Sequence, residues 1–156
     1  ELVGAIAAIL KEEELDASLL ELELTEGLLL EATEDTRLQL DSLKKMGLSL
    51  AMDDFGTGYS SFSYLKKFPI DVIKIDRSFI RDIPDDQDDM EITSAVIAMA
   101  HNLKLKVVAE GIETAAQLLF LRRHRCDVGQ GYLFDKPIPG SQLIEKLRRY
   151  LHGPSA

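Results

Sequence analysis

One cysteine, Cys126, stands alone among 156 residues. Its solitude excludes an internal disulfide framework and a cysteine-ligated zinc site. That usage suggests a reduced, cytoplasmic setting. Basic residues are also scarce: 18 Lys+Arg against 27 Asp+Glu give a formal net charge of −9. A general nucleic-acid binder would need a basic patch, and an anionic membrane surface would repel such a chain, so neither partner is expected. Long hydrophobic runs are missing as well. The longest, residues 2–10, is about half of what would span a bilayer. No signal-peptide pattern opens the sequence, whose first residue is a Glu in helical-looking sequence, so its start reads as cut. What remains is 46% hydrophobic and 29% charged, the balance of a globular chain that can bury a core within one domain.

Strand-like and helix-like segments alternate. Helical periodicity covers 1–13, with Leu2, Ile6, Ile9 and Leu10 on one face, and then 32–46, where Gly47 offers a left-handed cap. Further helices are expected over 61–67, 90–103, 114–123 and 141–151, with Thr114 and Ser141 as N-caps. Strands are expected over 19–26, 48–53, 72–75, 106–109 and 127–130, and an acidic loop over 85–89 leads into the third long helix. Residues 153–156 read as a frayed tail. No linker, low-complexity tract or sequence repeat interrupts the pattern. Five strands, each followed by helical sequence, imply a parallel sheet covered by helices. An open doubly wound sheet and a (β/α)8 barrel both satisfy that pattern. No glycine-rich phosphate fingerprint follows the first strand, which weakens the dinucleotide-binding version. A full barrel needs more than about 200 residues, so this chain holds about five of eight units.

The charges fall at one end of the strands. Leu20, Leu22 and Leu24 share one face of the first strand, and Glu21, Glu23 and Thr25 the other. Asp53 closes the second strand, Lys74 interrupts the third, Glu110 closes the fourth and Gln130 the fifth. Parallel strands covered by helices should be apolar on both faces, and barrel and open α/β proteins bind ligands at the C-terminal strand ends. Glu23, Asp53, Asp54, Lys74, Glu110 and Gln130 therefore form a candidate cluster. Read one at a time, each is simply the first polar residue of a loop; four consecutive strands with an acid or lysine at the same end favour a shared site. Oxygen donors without cysteine suit Mg²⁺ or Mn²⁺. Adjacent Asp53 and Asp54 can share a metal only if the chain turns there, and the run from Phe55 to Gly58 supplies a turn. Lys74 has two readings: it pairs with the acids, or, buried beside cations, it serves as a general base. The histidines His101, His124 and His152 lie on or at the ends of helices, so histidine catalysis is not expected.

The run Asp53-Asp54-Phe55-Gly56-Thr57-Gly58-Tyr59-Ser60-Ser61 resembles the EAL domain family of bacterial cyclic-di-GMP phosphodiesterases. Four further blocks match in order: Glu23-Leu24-Thr25-Glu26, Ile73-Lys74-Ile75-Asp76, Ala109-Glu110-Gly111-Ile112-Glu113 and Gln130-Gly131-Tyr132-Leu133-Phe134. The resemblance implies a modified (β/α)8 barrel with one antiparallel strand, here an N-terminally truncated portion over residues 1–152. It implies hydrolysis of cyclic di-GMP to linear pGpG with two Mg²⁺ or Mn²⁺ ions in the complete domain, and a catalytically incomplete site in this truncated portion. By resemblance, Glu23 ligates one metal, Asp53 bridges both and Asp54 binds the second. Lys74 is the family's general base, Glu110 supports the metal and water, and Gln130 helps hold that site. Asp76, Glu113, Tyr132, Phe134 and Pro137 are expected to bind or support substrate. Glu26 is expected to anchor the 55–61 loop, which couples the metal site to dimerisation. A homo-oligomer, and an upstream sensor or GGDEF-type domain in a parent protein with its own membrane anchor, are further implications.

The chain departs from the family at its start. The Glu-Ala-Leu motif is absent, and with it a glutamate and an asparagine that the resemblance would assign to the first metal. Asp135 stands where the family more often has a small residue. Two other functions fit parts of the pattern: a cyclic-di-GMP receptor without catalysis, and an aldolase- or enolase-type barrel using Lys74 on a carbonyl substrate. A barrel cut before its fourth strand would expose sheet edges and apolar core, which predicts self-association.

Overall fold

The computed structural model of the chain describes residues 2–56, 65 and 67–152. Five strands lie side by side in chain order, every neighbouring pair parallel. They are β1 (Glu21–Thr25), β2 (Ser49–Phe55), β3 (Val72–Ile75), β4 (Lys106–Ala109) and β5 (Val128–Gly129). Helix α1 (Leu2–Glu12) precedes them, and α2 (Glu26–Leu30) and α3 (Glu34–Met46) separate β1 from β2. Helix α4 (Gln87–Asn102) connects β3 to β4, α5 (Ala115–Arg123) connects β4 to β5, and α6 (Gly140–His152) ends the described chain. A doubly wound sheet would reverse its strand order at a switch point. This sheet never does, so the fold is α/β with consecutive strands of a TIM-type barrel.

Alternating apolar side chains hold the layers together. Leu24, Leu50, Met52, Ile73 and Val107 are all buried, in one core with Leu40 and Leu43 of α3 and Ile97 and Ala100 of α4. Each such large side chain contributes about 1.5–3 kcal/mol on full burial. Asp71 pins the opposite, N-terminal end of the sheet. Its carboxylate accepts Lys44 Nζ at 2.6 Å and the Leu50 N–H at 2.8 Å, and its carbonyl accepts the Lys106 N–H at 2.9 Å.

Local signals set the helix boundaries. Thr33 and Thr36 cap α3 reciprocally, and Gly47 closes it at φ 107°, a left-handed conformation that glycine adopts without a Cβ penalty. Asp86 caps α4 by accepting the Asp89 N–H, so the acidic run opens that helix at Gln87 rather than forming a loop as far as residue 89. Thr114 caps α5 as expected. Ser141 does not cap α6: the helix starts at Gly140, and Gln142 and Leu143 donate to the Pro139 carbonyl.

Three strands differ from expectation, the second by running on to Phe55. The first is shorter, because Asp16 caps a 3-10 turn over Ala17–Leu19 and Thr25 caps α2, which makes Glu26 a helical residue. The fifth is only two residues long. The helix expected over 61–67, the loop beyond Gly56 and the tail 153–156 lie outside the described residues, Leu65 and Lys67 excepted. Helix α6 presents Leu143, Ile144, Leu147, Tyr150 and Leu151 to solvent. No described helix is long and apolar enough to cross a membrane.

Candidate active site

The parallel register gathers the polar strand ends. Thr25 pairs with Asp53, Ile75 with Ala109, and Ala109 with Gly129, so Glu23, Asp53, Lys74, Glu110 and Gln130 sit near one end of the sheet. Backbone bonds extend this order past the strands: the Glu110 N–H donates to the Ile75 carbonyl at 3.1 Å and the Gln130 N–H to the Ala109 carbonyl at 2.9 Å.

Lys74 is the centre of the cluster. Its Nζ lies 2.6 Å from Glu23 Oε1, 2.8 Å from Glu110 Oε1 and 3.3 Å from Asp53 Oδ1. The lysine is buried, while its three partners reach solvent to different degrees. Burial alone would lower its pKa. Hydrogen bonds to Glu110 and Glu23, with the charges of Glu110 and Asp53, raise it above the ordinary lysine value instead. Of the two readings open for Lys74, pairing with the acids is the one present in this arrangement. Three carboxylates around one ammonium leave the cluster negative, which favours a further cation.

A bulge places the adjacent aspartates. Between paired positions β2 advances from Met52 to Phe55 while β3 advances only from Ile73 to Ile75. The extra residue breaks strict alternation. Asp54 takes φ 54°, a left-handed conformation that Asp tolerates better than most residues, and Gly56 follows at φ 98°. The chain thus turns at Asp53–Asp54 while still in β2, one step earlier than the Phe55–Gly58 turn expected.

The donor chemistry suits a hard divalent cation. Glu23, Asp53 and Asp54 offer only oxygen, and Asp53 Oδ1 is buried without a hydrogen bond. Among the described residues no three Asp, Glu, His or Cys side chains already stand as a metal-binding group. Lys74 occupies the space between the carboxylates.

Beside this cluster a cavity of about 220 Å³ opens between the loops after β3, β4 and β5, lined by Asp76, Arg77, Glu110, Gly111, Glu113, Gln130, Gly131 and Tyr132. It brings together five of the residues expected from sequence. Asp76 also caps the 3-10 turn Arg77–Phe79, and the Ser78 hydroxyl and amide hold its carboxyl below the usual range. Phe134 packs near Gly129, outside the cavity lining, and Pro137 is exposed and likewise outside it. Glu26 is buried at the start of α2. Asp135 pairs with Lys146 of α6.

Arg77 is an addition: in the sequence it reads as an ordinary loop residue. Its place follows from close backbone approach. A Cβ on Gly111, which has φ 70°, would stand 2.5 Å from Arg77 Cβ, and one on Gly131 would stand 2.2 Å from the Ile112 carbonyl. Glycine at these two positions lets three loops close on one another. A larger cavity of about 360 Å³ lies at the opposite sheet end, lined in part by Glu21, Lys44, Ser49 and Asp71. Those groups already bond to each other: Lys44 to Asp71, and Ser49 to Glu21 at 2.8 Å. That cavity is the pinned base of the sheet.

The EAL domain family model matches residues 1–137. The cyclic di-GMP phosphodiesterase NbdA of Pseudomonas aeruginosa is 52% identical over 149 residues, 96% of this chain and 19% of NbdA. A cyclic-di-GMP complex of the PaMucR phosphodiesterase superposes with a TM-score of 0.86 at 44% identity, covering 91% of this chain and 57% of that one. A manganese and cyclic-di-GMP complex of Klebsiella pneumoniae BlrP1 gives 0.81 at 34% identity, covering 86% of this chain and 34% of that one. The chain spans about a fifth of the length of the curated relatives it matches.

Proposed function

The chain belongs to the EAL domain family, and from that premise we propose that its strand-end cluster serves metal-dependent hydrolysis of cyclic di-GMP to linear pGpG. The observation that carries the proposal is the convergence of Glu23, Asp53 and Glu110 on Lys74 Nζ at 2.6, 3.3 and 2.8 Å. Glu23, Asp53 and Asp54 would hold the cations, Mg²⁺ or Mn²⁺; the BlrP1 complex with manganese and cyclic di-GMP supports that choice. Bound cations would offset the negative cluster against an anionic phosphodiester and lower the pKa of a bound water.

This chain's own groups would do the rest. Glu110 orients Lys74, and Lys74 holds a proton at Nζ where it can steady a phosphate oxygen. Were its carboxylate partners instead to hold cations, the ammonium would lose its counter-charges and could release its proton to solvent, and the neutral amine left would be able to take a proton from water, the general-base role. Asp76, Arg77, Glu113, Gln130 and Tyr132 would line the nucleotide side, with Phe134 and Pro137 beyond them, and Glu26 would anchor the 55–61 loop. The residues of 1–152 would act as one partial barrel unit. Self-association fits an open sheet whose outer strands β1 and β5 each have one strand neighbour among the described residues. A companion sensor or GGDEF-type domain in one polypeptide fits MucR, a bifunctional diguanylate cyclase and cyclic di-GMP phosphodiesterase.

The test is hydrolysis of cyclic di-GMP by this chain with Mn²⁺, using Asp53→Ala as control. Formation of pGpG that the control abolishes supports the enzyme. Calorimetric binding without product supports the receptor reading, and absence of both binding and product overturns the two together.

A further inference from the structure

Gln117 is 3% exposed on the first turn of α5, far more buried than a capping residue needs to be. Its Oε1 accepts the Glu113 N–H at 2.8 Å and the Thr114 N–H at 2.9 Å, while its Nε2 donates to the Arg81 carbonyl at 3.0 Å. Two backbone donors on one side and a carbonyl on the other fix the amide orientation without ambiguity. A glutamate would complete the capping box with Thr114 equally well. What the amide adds is the Nε2 donor, which reaches the segment after β3.

That segment carries Asp76 and Arg77, and the loop holding Glu113 carries Glu110 and Gly111. The two loops face each other across the 220 Å³ cavity. Gly111 and Arg77 already touch at the limit of glycine packing. Apart from that contact, Gln117 joins them by hydrogen bonds from one buried side chain. Thr93 Oγ1 steadies the same segment from α4 by donating to the Phe79 carbonyl at 3.2 Å.

We propose that Gln117 is a positioning residue: by tying Arg81 to Glu113 and Thr114 it sets the width of the cavity between Asp76–Arg77 and Glu110–Glu113, and so the fit of cyclic di-GMP. The proposal rests on the cyclic-di-GMP reading above. Gln117 touches no substrate; it acts through two loops. Removing its donor leaves the Arg81 carbonyl without that partner and frees one loop to move against the other.

The experiment compares Gln117→Glu and Gln117→Met with the wild-type chain by calorimetry of cyclic di-GMP in Ca²⁺ at about pH 5 and about pH 8, and by amide hydrogen exchange. An ionised Glu cannot donate to the Arg81 carbonyl, but a protonated one can; burial favours the protonated form at the acidic pH, while the two N–H donors on its other oxygen favour the ionised form at the basic one. The expected Kd of Gln117→Glu, relative to wild type at the same pH, is unchanged at the acidic pH and about tenfold weaker at the basic one. Gln117→Met is weaker at both, and loses exchange protection across 77–83 as well as at Glu113 and Thr114. Equal Kd ratios at the two pH values for Gln117→Glu overturn the proposal. So does retained protection across 77–83 in Gln117→Met. A wild-type chain that binds no cyclic di-GMP sinks the functional reading instead. Exchange across 77–83 then decides whether Gln117 couples the loops.

Discussion

Lys74 of β3 and Glu110 just beyond β4 meet at 2.8 Å, on neighbouring strands but 36 positions apart in the chain. Neither would be tolerated alone so close to the core. The ammonium keeps its charge because Glu110, Glu23 and Asp53 surround it, and the carboxylates stay together because the ammonium lies between them. Without added cations, Lys74 thus does for the acids what a metal would do.

Replacing Lys74 with Met should therefore destabilise the cation-free chain by about 1–2 kcal/mol, discounted from a fully buried pair because the carboxylates reach solvent. Millimolar Mn²⁺ should restore most of that loss by giving the acids another counter-charge. Urea midpoints with and without Mn²⁺ check both parts. A loss that Mn²⁺ leaves untouched would count against a shared cation site.

Gly111→Ala should cost about 1–3 kcal/mol, since the new Cβ would collide with Arg77 at a left-handed φ. Gly27→Ala makes the control. Gly27 lies inside α2 with open space around its would-be Cβ, so the same change there should stabilise by up to about 1 kcal/mol. Thermal denaturation of the two variants should give shifts of opposite sign.

Acid should weaken the chain in part through Asp127. Burial pushes this carboxyl up, but hydrogen bonds from His101 and the Val107 N–H, with the nearby Lys106 charge, hold it below its ordinary 3.8. A depressed folded pKa adds stability above the unfolded value, and that stability is lost as pH falls through the folded one. The difference in urea midpoint between wild type and Asp127→Asn should be present at about pH 5 and shrink as pH falls below about pH 3.8. A gap that stays the same down to about pH 2.5 would contradict it.

Cys126 should be a slow thiol. Burial pushes its pKa up from 9.0 to about 11, and its S–H donates to the Val128 carbonyl at 3.3 Å. At pH 8 the folded chain should react with a maleimide about 100-fold more slowly than the urea-unfolded chain. Equal rates would show the thiol to be open and ionisable.

Alternation makes Glu23, Lys74 and Glu110 readable as partners, because a period of two assigns each strand residue to one face of the sheet or the other. Local caps such as Gly47 and Thr114 are readable for a related reason: their chemistry acts within one turn of chain. The Asp53–Asp54 bulge is not. It exists only in how β2 pairs with β3, and nothing within 49–55 encodes the partner's register. Glu26 falls one element away from its expected place because Thr25, a good strand residue, is also a good N-cap. Arg77 escapes the sequence because its site depends on how closely Gly111 approaches it. Gln117 has a signal, the Thr114-x-x-Gln117 capping pattern, but its reach to Arg81 depends on burial that arises only on folding.

The unbroken order of the strands also says how such a site can diversify. Each strand-and-helix unit contributes about one group to the cluster, and neighbouring strands stand about 4.8 Å apart, roughly the span of one side chain. The connecting segments on the far side never touch that cluster. They can lengthen, shorten or be exchanged between descendants while the chemistry stays in place. A single-residue slip within a strand is different, since it swaps a reactive group for a core residue. Change should therefore cost least in the far-side connections and most within the strands and the loops that line the cavity, and a lineage can acquire new inputs through those outer connections without rebuilding what it does at the centre.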